Sequence, residues 1–535
     1  MKSKKLVVGL LSLAMLGSVT AVGCNNGGSS DVEATTIVIY AGGSSEFSWA
    51  KGTEEQKVYD AVEQKYYEDT GIKLKFKFEY LGQNMKQKLQ TSISGGEQVD
   101  IVISHTTTDG IDEYSIQKEL FYDISSLLED YGENIIKYTT GSSLNRMTLS
   151  DGKVIGIGSV IDPHKFGILV RKDIMEKAGY TDDAEKAKTE FKDGVNYKLV
   201  DSLEVFEEMC LAMKEVDDGI SYPVTGAHWD IEKVLTLGPY CESGRYTYTA
   251  RETADGDIEV IPGYLTPEYA DVLETEYYWV RKGILSSEAN SILIDEAETK
   301  FISGQSAVFV EDPTIQHLIQ IARRTKVANP DAEFTVLGAL PLTSGGETKG
   351  FMSNSEATHA AVIMKNSKNA KAIIKFMNWV YSDVDNYRLC YHGIEGEHWI
   401  DNGDGTYSYP EGKESYLTKR PYSGILALVE NQNISNLTYA GYTEEEKSWI
   451  NTAKTTTYIE NELIDYNFNV SSELRLLHSN GETNMYSVLN NVFAGTKNPK
   501  ENDKIGEAQQ SYRTTAQKYI EAITVQYKFM KNSRG

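Results

Sequence analysis

The side chains able to do chemistry in this chain are chiefly carboxylates and tyrosines. A carboxylate pair for acid–base work could be drawn from 78 Asp and Glu. No nucleophile elbow, zinc motif or phosphate-cradling loop accompanies them. Asp401–Tyr409 (DNGDGTYSY) comes nearest to a cation loop. Its Gly403 and Gly405 stand where the calcium pattern needs ligands, so it reads as a tight turn between short strands. His392 and His398 flank one loop without a third ligand, which is weak evidence for a metal. No cofactor and no metal are expected. Cys210, Cys241 and Cys390 are far apart and odd in number, so no disulfide framework is visible. Cys210 falls on the apolar stripe Phe206, Met209, Cys210, Met213 and reads as a buried thiol. The 34 Tyr, 15 Phe and 6 Trp remain. Tyrosine offers a flat apolar face with a polar tip, which suits sugars and equally suits ordinary surfaces.

The elements that must position such residues follow from periodicity. Thr36–Tyr40 (TIVIY) is a buried strand. Glu54–Thr70 places Val58, Ala61, Val62 and Tyr66 on one helical face, and Gly71 ends it. Ile72, Leu74, Phe76 and Phe78 alternate with Lys73, Lys75 and Lys77, a strand with one wet face. A second helix runs to about Ser94, and Val99–Ser104 is again strand. This β-α-β-α-β order opens an α/β sheet, whose ligands bind at the carboxyl ends of the strands. The loops after Tyr40 and Ser104 are therefore the candidate site loops.

Further along, Gly152–Pro163 reads as a crossing segment, Phe166–Val170 as strand and Lys172–Ala178 as a short helix. Thr181–Asn196 is charged and reads as a surface excursion. Ser202 is an N-cap for the helix carrying Phe206 to Met213, and Thr266-Pro267 opens another helix. Phe301–Val310 leads into a strand, and Phe334–Pro341 (FTVLGALP) reads as a second crossing strand. Asn369–Ser382 is amphipathic, with Trp379 in its core. Thr443-x-x-Glu446 is a capping box, and Ile505, Ala508, Tyr512, Ala516, Tyr519 and Ile523 stripe a C-terminal helix.

The length suits two or three domain-sized cores. Lys and Arg number 53 against 78 acidic residues, a net charge of −25. That field repels nucleic acid and anionic lipid headgroups, so neither is expected as a ligand. At the N-terminus Lys2, Lys4 and Lys5 precede the apolar run Leu6–Val19, which is too short to span a bilayer and reads as a signal segment. Thr20-Ala21-Val22-Gly23-Cys24 resembles the lipobox of bacterial lipoproteins, although Ala21 stands where leucine is usual. The expectation is cleavage after residue 23, diacylglycerol on the Cys24 sulfur with palmitate among its acyl chains, and a flexible tether over 24–35.

Several stretches resemble family 1 extracellular solute-binding proteins of ABC importers, in the Gram-positive lipoprotein subgroup. Gly152-Lys153-Val154-Ile155-Gly156-Ile157 is similar to their "GK-Y-GIP". Arg171-Lys172-Asp173-Ile174 with Ala178-Gly179 is similar to "YRKD-L…G", and Phe301–Ala307 (FISGQSA) to "F--GKAA". Asn366–Trp399 resembles the subgroup's helix ending GIEGKHY. Ile155 and Gly158 depart from the family's Tyr and Pro, and Trp399 replaces its tyrosine. The resemblance spans Thr36–Trp399.

It implies an α/β, two-lobed periplasmic-binding-protein-like fold (type II), with discontinuous lobes joined by hinge segments and a helical C-terminal region. Lobe 1 would comprise 36–160 plus 342–405, and lobe 2 would comprise 161–341 plus 406–535. The implied function is a lipid-anchored, extracellular binding protein, not an enzyme. It captures a carbohydrate, expected to be an oligosaccharide, and delivers it to an ABC permease. A monomer is expected, touching the membrane only through its lipid. Implied ligand contacts are Glu46, Phe47 and Trp49, then His105 and Thr106, then Trp229, Glu311 and Asp312, with Glu395 and Trp399 from the GIEGEHW loop. Alternatives are a surface glycoside hydrolase or lyase, and a lipoprotein that binds peptide or protein.

Overall fold

The computed structural model describes residues 33–42, 51–81, 84–106, 119–149, 151–163, 167–188, 197–227, 231–232, 235, 248–310, 315–343, 346, 350–353, 355–417, 420–459, 461, 463–466, 468 and 470–534.

Strand alternation divides the first lobe's side chains between two cores. Along Thr35–Ala41, Ile37, Ile39 and Ala41 join one core, and Val38 and Tyr40 the other. Successive side chains of a strand leave opposite faces of the pleat, so a strand apolar at every position is interior on both sides. This one pairs in parallel with Leu74–Tyr80 and Ile101–His105. The sheet then continues antiparallel through His359–Ile363 to Gly156–Gly158 at its edge. Helix Glu55–Thr70 buries Val58, Tyr59, Val62 and Tyr66, and stops where Gly71 takes φ 71° and donates to the Tyr67 carbonyl at 2.8 Å. Helix Ala370–Val380 covers the same face, and Met85–Gly95 the opposite one.

The second lobe repeats the logic with a four-stranded sheet. Its order is Phe334–Leu337, Ile168–Arg171, Val308–Val310, Val224–Gly226, with only the last pair parallel. Val170, Val224 and Val308 face a core shared with helix Leu203–Val216 and with the C-terminal helices Ser472–Phe493 and Lys504–Arg534. Leu169, Phe309 and Phe334 face helices Ile294–Ile302, Ile315–Ala328 and Glu444–Thr455. All six residues of the C-terminal stripe are buried. Gly481 lets the two long helices approach: a Cβ there would lie 2.6 Å from the Tyr512 ring. Ser202 accepts from the Val205 amide, and Thr443 with Glu446 forms the complete capping box.

Three readings from sequence differ from the structure. Gly156–Gly158 lies inside the segment read as a crossing, yet it is the first sheet's edge strand. Phe334–Leu337 is likewise a member of the second sheet, and the chain leaves that lobe only after it. Runs bounded by glycine or proline look alike whether they end a sheet or bridge two. Residues after 405 do not pass directly to lobe 2: Tyr422 and Ile425–Val429 complete the first lobe's core. The chain enters the second lobe with Glu444–Thr455. Among the described residues no helix is long and apolar enough to cross a membrane.

Candidate functional site

The carboxyl end of Ile101–His105 carries two of the expected contacts. His105 lies opposite His359 in antiparallel register, with ring centroids 4.4 Å apart. Thr358 Oγ1 sits 3.0 Å from His359 Nδ1. Thr106 turns inward and is 8 % exposed. Its amide donates to the Thr358 carbonyl and its hydroxyl to the Ala357 carbonyl, at 3.0 and 2.9 Å. The same hydroxyl accepts from Arg146 Nε at 3.3 Å.

Arg146 ends the helix Gly141–Arg146, which Thr140 caps by accepting from the Ser143 amide. Its Nη1 donates to the Ile464 carbonyl at 2.9 Å. Beside Ile464, the Asp465 carboxylate accepts from Ser142 Oγ and from Ser355 Oγ, each at 2.6 Å. Leu463 and Phe468 of this segment belong to the second lobe's core, so the network ties one lobe to the other. Burial pushes the Arg146 guanidinium below its usual range, while the Asp465 carboxylate pulls it back. A buried charge persists only when compensated, and here part of the compensation comes from across the lobes.

The GIEGEHW loop is built differently from expectation. Glu395 is exposed and makes a backbone bridge with Trp399. Trp399 is 3 % exposed and its Nε1 donates to the Gly393 carbonyl at 3.0 Å. Its ring packs against His392 at 5.0 Å and under the Arg388 guanidinium at 5.8 Å. This side chain anchors the loop. Burial, with Arg420 and Arg388 nearby, lowers His392 to about 3, so it is neutral at physiological pH.

Glu54, Glu397 and His398 bring three donor atoms within 4.8 Å, the one such grouping among the described residues. The hydrogen bonds argue against a metal there. His398 Nδ1 accepts from the Ile394 amide at 2.9 Å, so the neutral ring carries its proton on Nε2 and donates it to Glu54 at 3.2 Å. No ring lone pair is left for a cation. Glu397 is engaged with Lys57. The group is a clasp holding the loop to the first turn of Glu55–Thr70.

A band of half-buried tyrosines lies beside the loop. Tyr407 and Tyr439 approach to 5.5 Å, Tyr409 and Tyr439 to 5.3 Å, and Tyr439 and Tyr442 to 5.4 Å. Arg323 of the second lobe sits 5.8 Å over both Tyr439 and Tyr442, and pairs with Glu446. Such faces match the C–H surfaces of a sugar ring.

Of the residues expected to touch ligand, Glu46, Phe47, Trp49, Trp229, Glu311 and Asp312 lie outside the described residues, as does the expected lipid site Cys24. The structure brings His105 and Thr106 together at the strand end and holds Glu395 and Trp399 in a separate loop. Arg146, His359 and Asp465 were not anticipated. Arg146 and Ile464 are 318 residues apart, and no local pattern marks either.

The profile described as bacterial extracellular solute-binding protein matches residues 49–386. The chain belongs to that family. Among solved structures, the N-glycan transport solute-binding protein NgtS of Streptococcus pneumoniae is 17% identical over 93% of this chain and 100% of its own, with a TM-score of 0.65. The alginate-binding protein AlgQ2, solved without calcium ion, is 14% identical over 93% and 98%, TM-score 0.68. A solute-binding protein of Bifidobacterium longum infantis, described as binding HMO, is 12% identical over 93% and 99%, TM-score 0.61. No curated protein sequence matches significantly.

Proposed function

We propose that this chain is an extracellular, lipid-anchored binding protein that captures an oligosaccharide between its lobes and hands it unaltered to an ABC permease. Membership of the solute-binding family over residues 49–386 carries the reading. Solved relatives of the same fold over 93% of the chain include one in complex with Man5GlcNAc and one described as binding HMO. The interlobe chemistry supports it as well. Tyrosine faces can cover the apolar side of a sugar, and His105, His359 and the Arg146–Asp465 network supply hydrogen-bonding groups at the strand end where such folds bind. Hinge closure of two α/β lobes then encloses the ligand. The lipobox-like Cys24 would moor the chain to the outer face of the membrane.

Thermal shift across N-glycan, milk-type, fructan and alginate oligosaccharides tests this reading. One class should raise the melting temperature saturably with affinity of about 1 μM, or about −8 kcal/mol. No shift with any saccharide, or chromatographic detection of cleaved products, would refute it.

A further inference from the structure

The turn within Asp401–Tyr409 joins strands Ile400–Asp401 and Thr406–Ser408. At its tip stands Asn402-Gly403, one of three Asn-Gly pairs in the chain. In such a pair the side chain and the main chain can react with each other. The amide nitrogen of the second residue attacks the side-chain carbonyl of the first, and glycine puts no side chain in the way. What surrounds the pair decides whether that reaction is helped or held back.

Here each reacting atom has a partner placed to assist it. The nucleophile is the Gly403 amide, whose N–H donates to Asp401 Oδ1 at 2.8 Å. A carboxylate there is a base for the proton that the attack must release. Arg388 pairs with the other oxygen of Asp401 at 2.8 Å and holds that base in place. The electrophile is Cγ of Asn402, and its Oδ1 accepts from Ser408 Oγ at 3.0 Å. Such a donor polarises the carbonyl and steadies the negative oxygen formed on attack. The leaving group is Nδ2, which donates to Thr406 Oγ1 at 2.9 Å. Gly403 takes φ 76°, and a Cβ added to it would meet nothing within 4 Å, so the ring that must close is not crowded. Asn402 through Gly405 are exposed, and water is at hand for the hydrolysis that follows.

Asn480-Gly481 is the contrast. It lies inside helix Ser472–Phe493. Helical side chains tilt toward the N-terminus, away from the amide that follows, and that amide is spent on the helical ladder. Gly481 is also buried, against the Tyr512 ring.

We propose that Asn402 is a self-modification site, where the turn converts its own asparagine to aspartate and isoaspartate. Gly403 N bonds to Asn402 Cγ, the Cγ–Nδ2 bond breaks, and Nδ2 leaves as ammonia with the proton that Gly403 released. The product is a cyclic imide in the main chain. One water then opens it, giving aspartate by attack at Cγ and isoaspartate by attack at the main-chain carbonyl. Either product adds a carboxylate beside Asp401 and Asp404. Isoaspartate also adds a methylene to the main chain, which displaces the bond from the Asn402 amide to the Thr406 carbonyl, now 3.1 Å. Thr406 and Tyr407 pair with Thr438 and Tyr439, so the change reaches the edge of the tyrosine band.

The test is incubation of the full chain at neutral and mildly alkaline pH, then digestion and mass spectrometry of the peptides holding residues 402 and 480. The 402 peptide should gain the mass of an amide-to-acid exchange with time, faster at the higher pH. It should resolve into aspartate and isoaspartate forms, while the 480 peptide stays unchanged. Asp401→Ala and Ser408→Ala should each slow the reaction about fivefold, as loss of one hydrogen bond predicts. Asn402→Gln should abolish it, because the longer side chain has a larger ring to close. A 402 peptide that reacts no faster than the 480 peptide would overturn the proposal. So would an equal or faster reaction in Ser408→Ala, since the hydroxyl would then shield the amide instead of activating it. Aspartate formed without isoaspartate would also overturn it, by showing direct hydrolysis in place of the imide.

Discussion

Arg146 of the first lobe donates through Nη1 to the main-chain oxygen of Ile464 in the second, at 2.9 Å. Its Nε reaches Thr106 at the end of a first-sheet strand. One guanidinium therefore links a strand end of one lobe to the segment that returns through the other. Arg146→Ala should cost about 1.5–3 kcal/mol, the range for hydrogen bonds made by a charged group. Arg146→Lys should recover only part of it, because a compact ammonium cannot occupy both directions of the planar fork. Urea unfolding reads both, and a loss below about 0.5 kcal/mol for the alanine variant would place Arg146 among ordinary surface residues.

Glu482 and His478, one turn apart on Ser472–Phe493, predict a compensated pH profile. Burial raises the Glu482 carboxyl to about 7 against a hydrogen bond from Tyr264. Burial lowers His478 to about 4, with Arg475 adding to the effect. The two side chains lie 3.6 Å apart, with Tyr512 and Tyr519 packed on the imidazole. A carboxyl raised on folding contributes fully below its ordinary 4.5 and loses that contribution as pH climbs through about 7. An imidazole lowered on folding contributes fully above its ordinary 6.5 and loses it as pH falls through about 4. Between 4.5 and 6.5 the slopes oppose each other. Glu482→Gln should leave stability rising with pH across that interval, and His478→Asn should leave it falling. Melting profiles of the variants that parallel the unmodified protein would contradict this account.

Gly481 should invert the usual helix rule. An exposed mid-helix glycine changed to alanine normally gains about 1 kcal/mol. Here the added Cβ would meet the buried Tyr512 ring at 2.6 Å, so Gly481→Ala should lose about 1–3 kcal/mol by overpacking. A raised melting temperature would show that the helices part without cost.

The GIEGEHW loop should split stability from binding. Trp399→Ala empties a buried site and removes the Gly393 hydrogen bond, a loss of about 3–5 kcal/mol. Glu395→Gln changes an exposed side chain and should move stability by less than about 0.5 kcal/mol. Calorimetry of both variants, with saccharide titration of Glu395→Gln, checks the pair. A Trp399→Ala protein as stable as the parent would contradict the anchoring role.

Much of the architecture was legible locally. The apolar run Thr36–Tyr40, the caps at Gly71, Ser202 and Thr443, and the Ile505–Ile523 stripe depend on neighbours within one or two turns, and each appears where its pattern put it. Burial of Cys210 and Trp379 followed from helical period in the same way. The burial of Trp399 was not legible, because a loop has no period to say which way a side chain faces.

By itself the sequence determined the kinds of element, their order and the faces they bury, because hydrophobic period and capping act over a few residues. Tertiary structure alone decided that 422–429 complete the first core, that His398 spends its lone pair on a backbone amide, and that Arg146 finds its acceptor in Ile464. Those outcomes depend on the directions and distances of groups hundreds of residues apart, which composition and spacing do not encode.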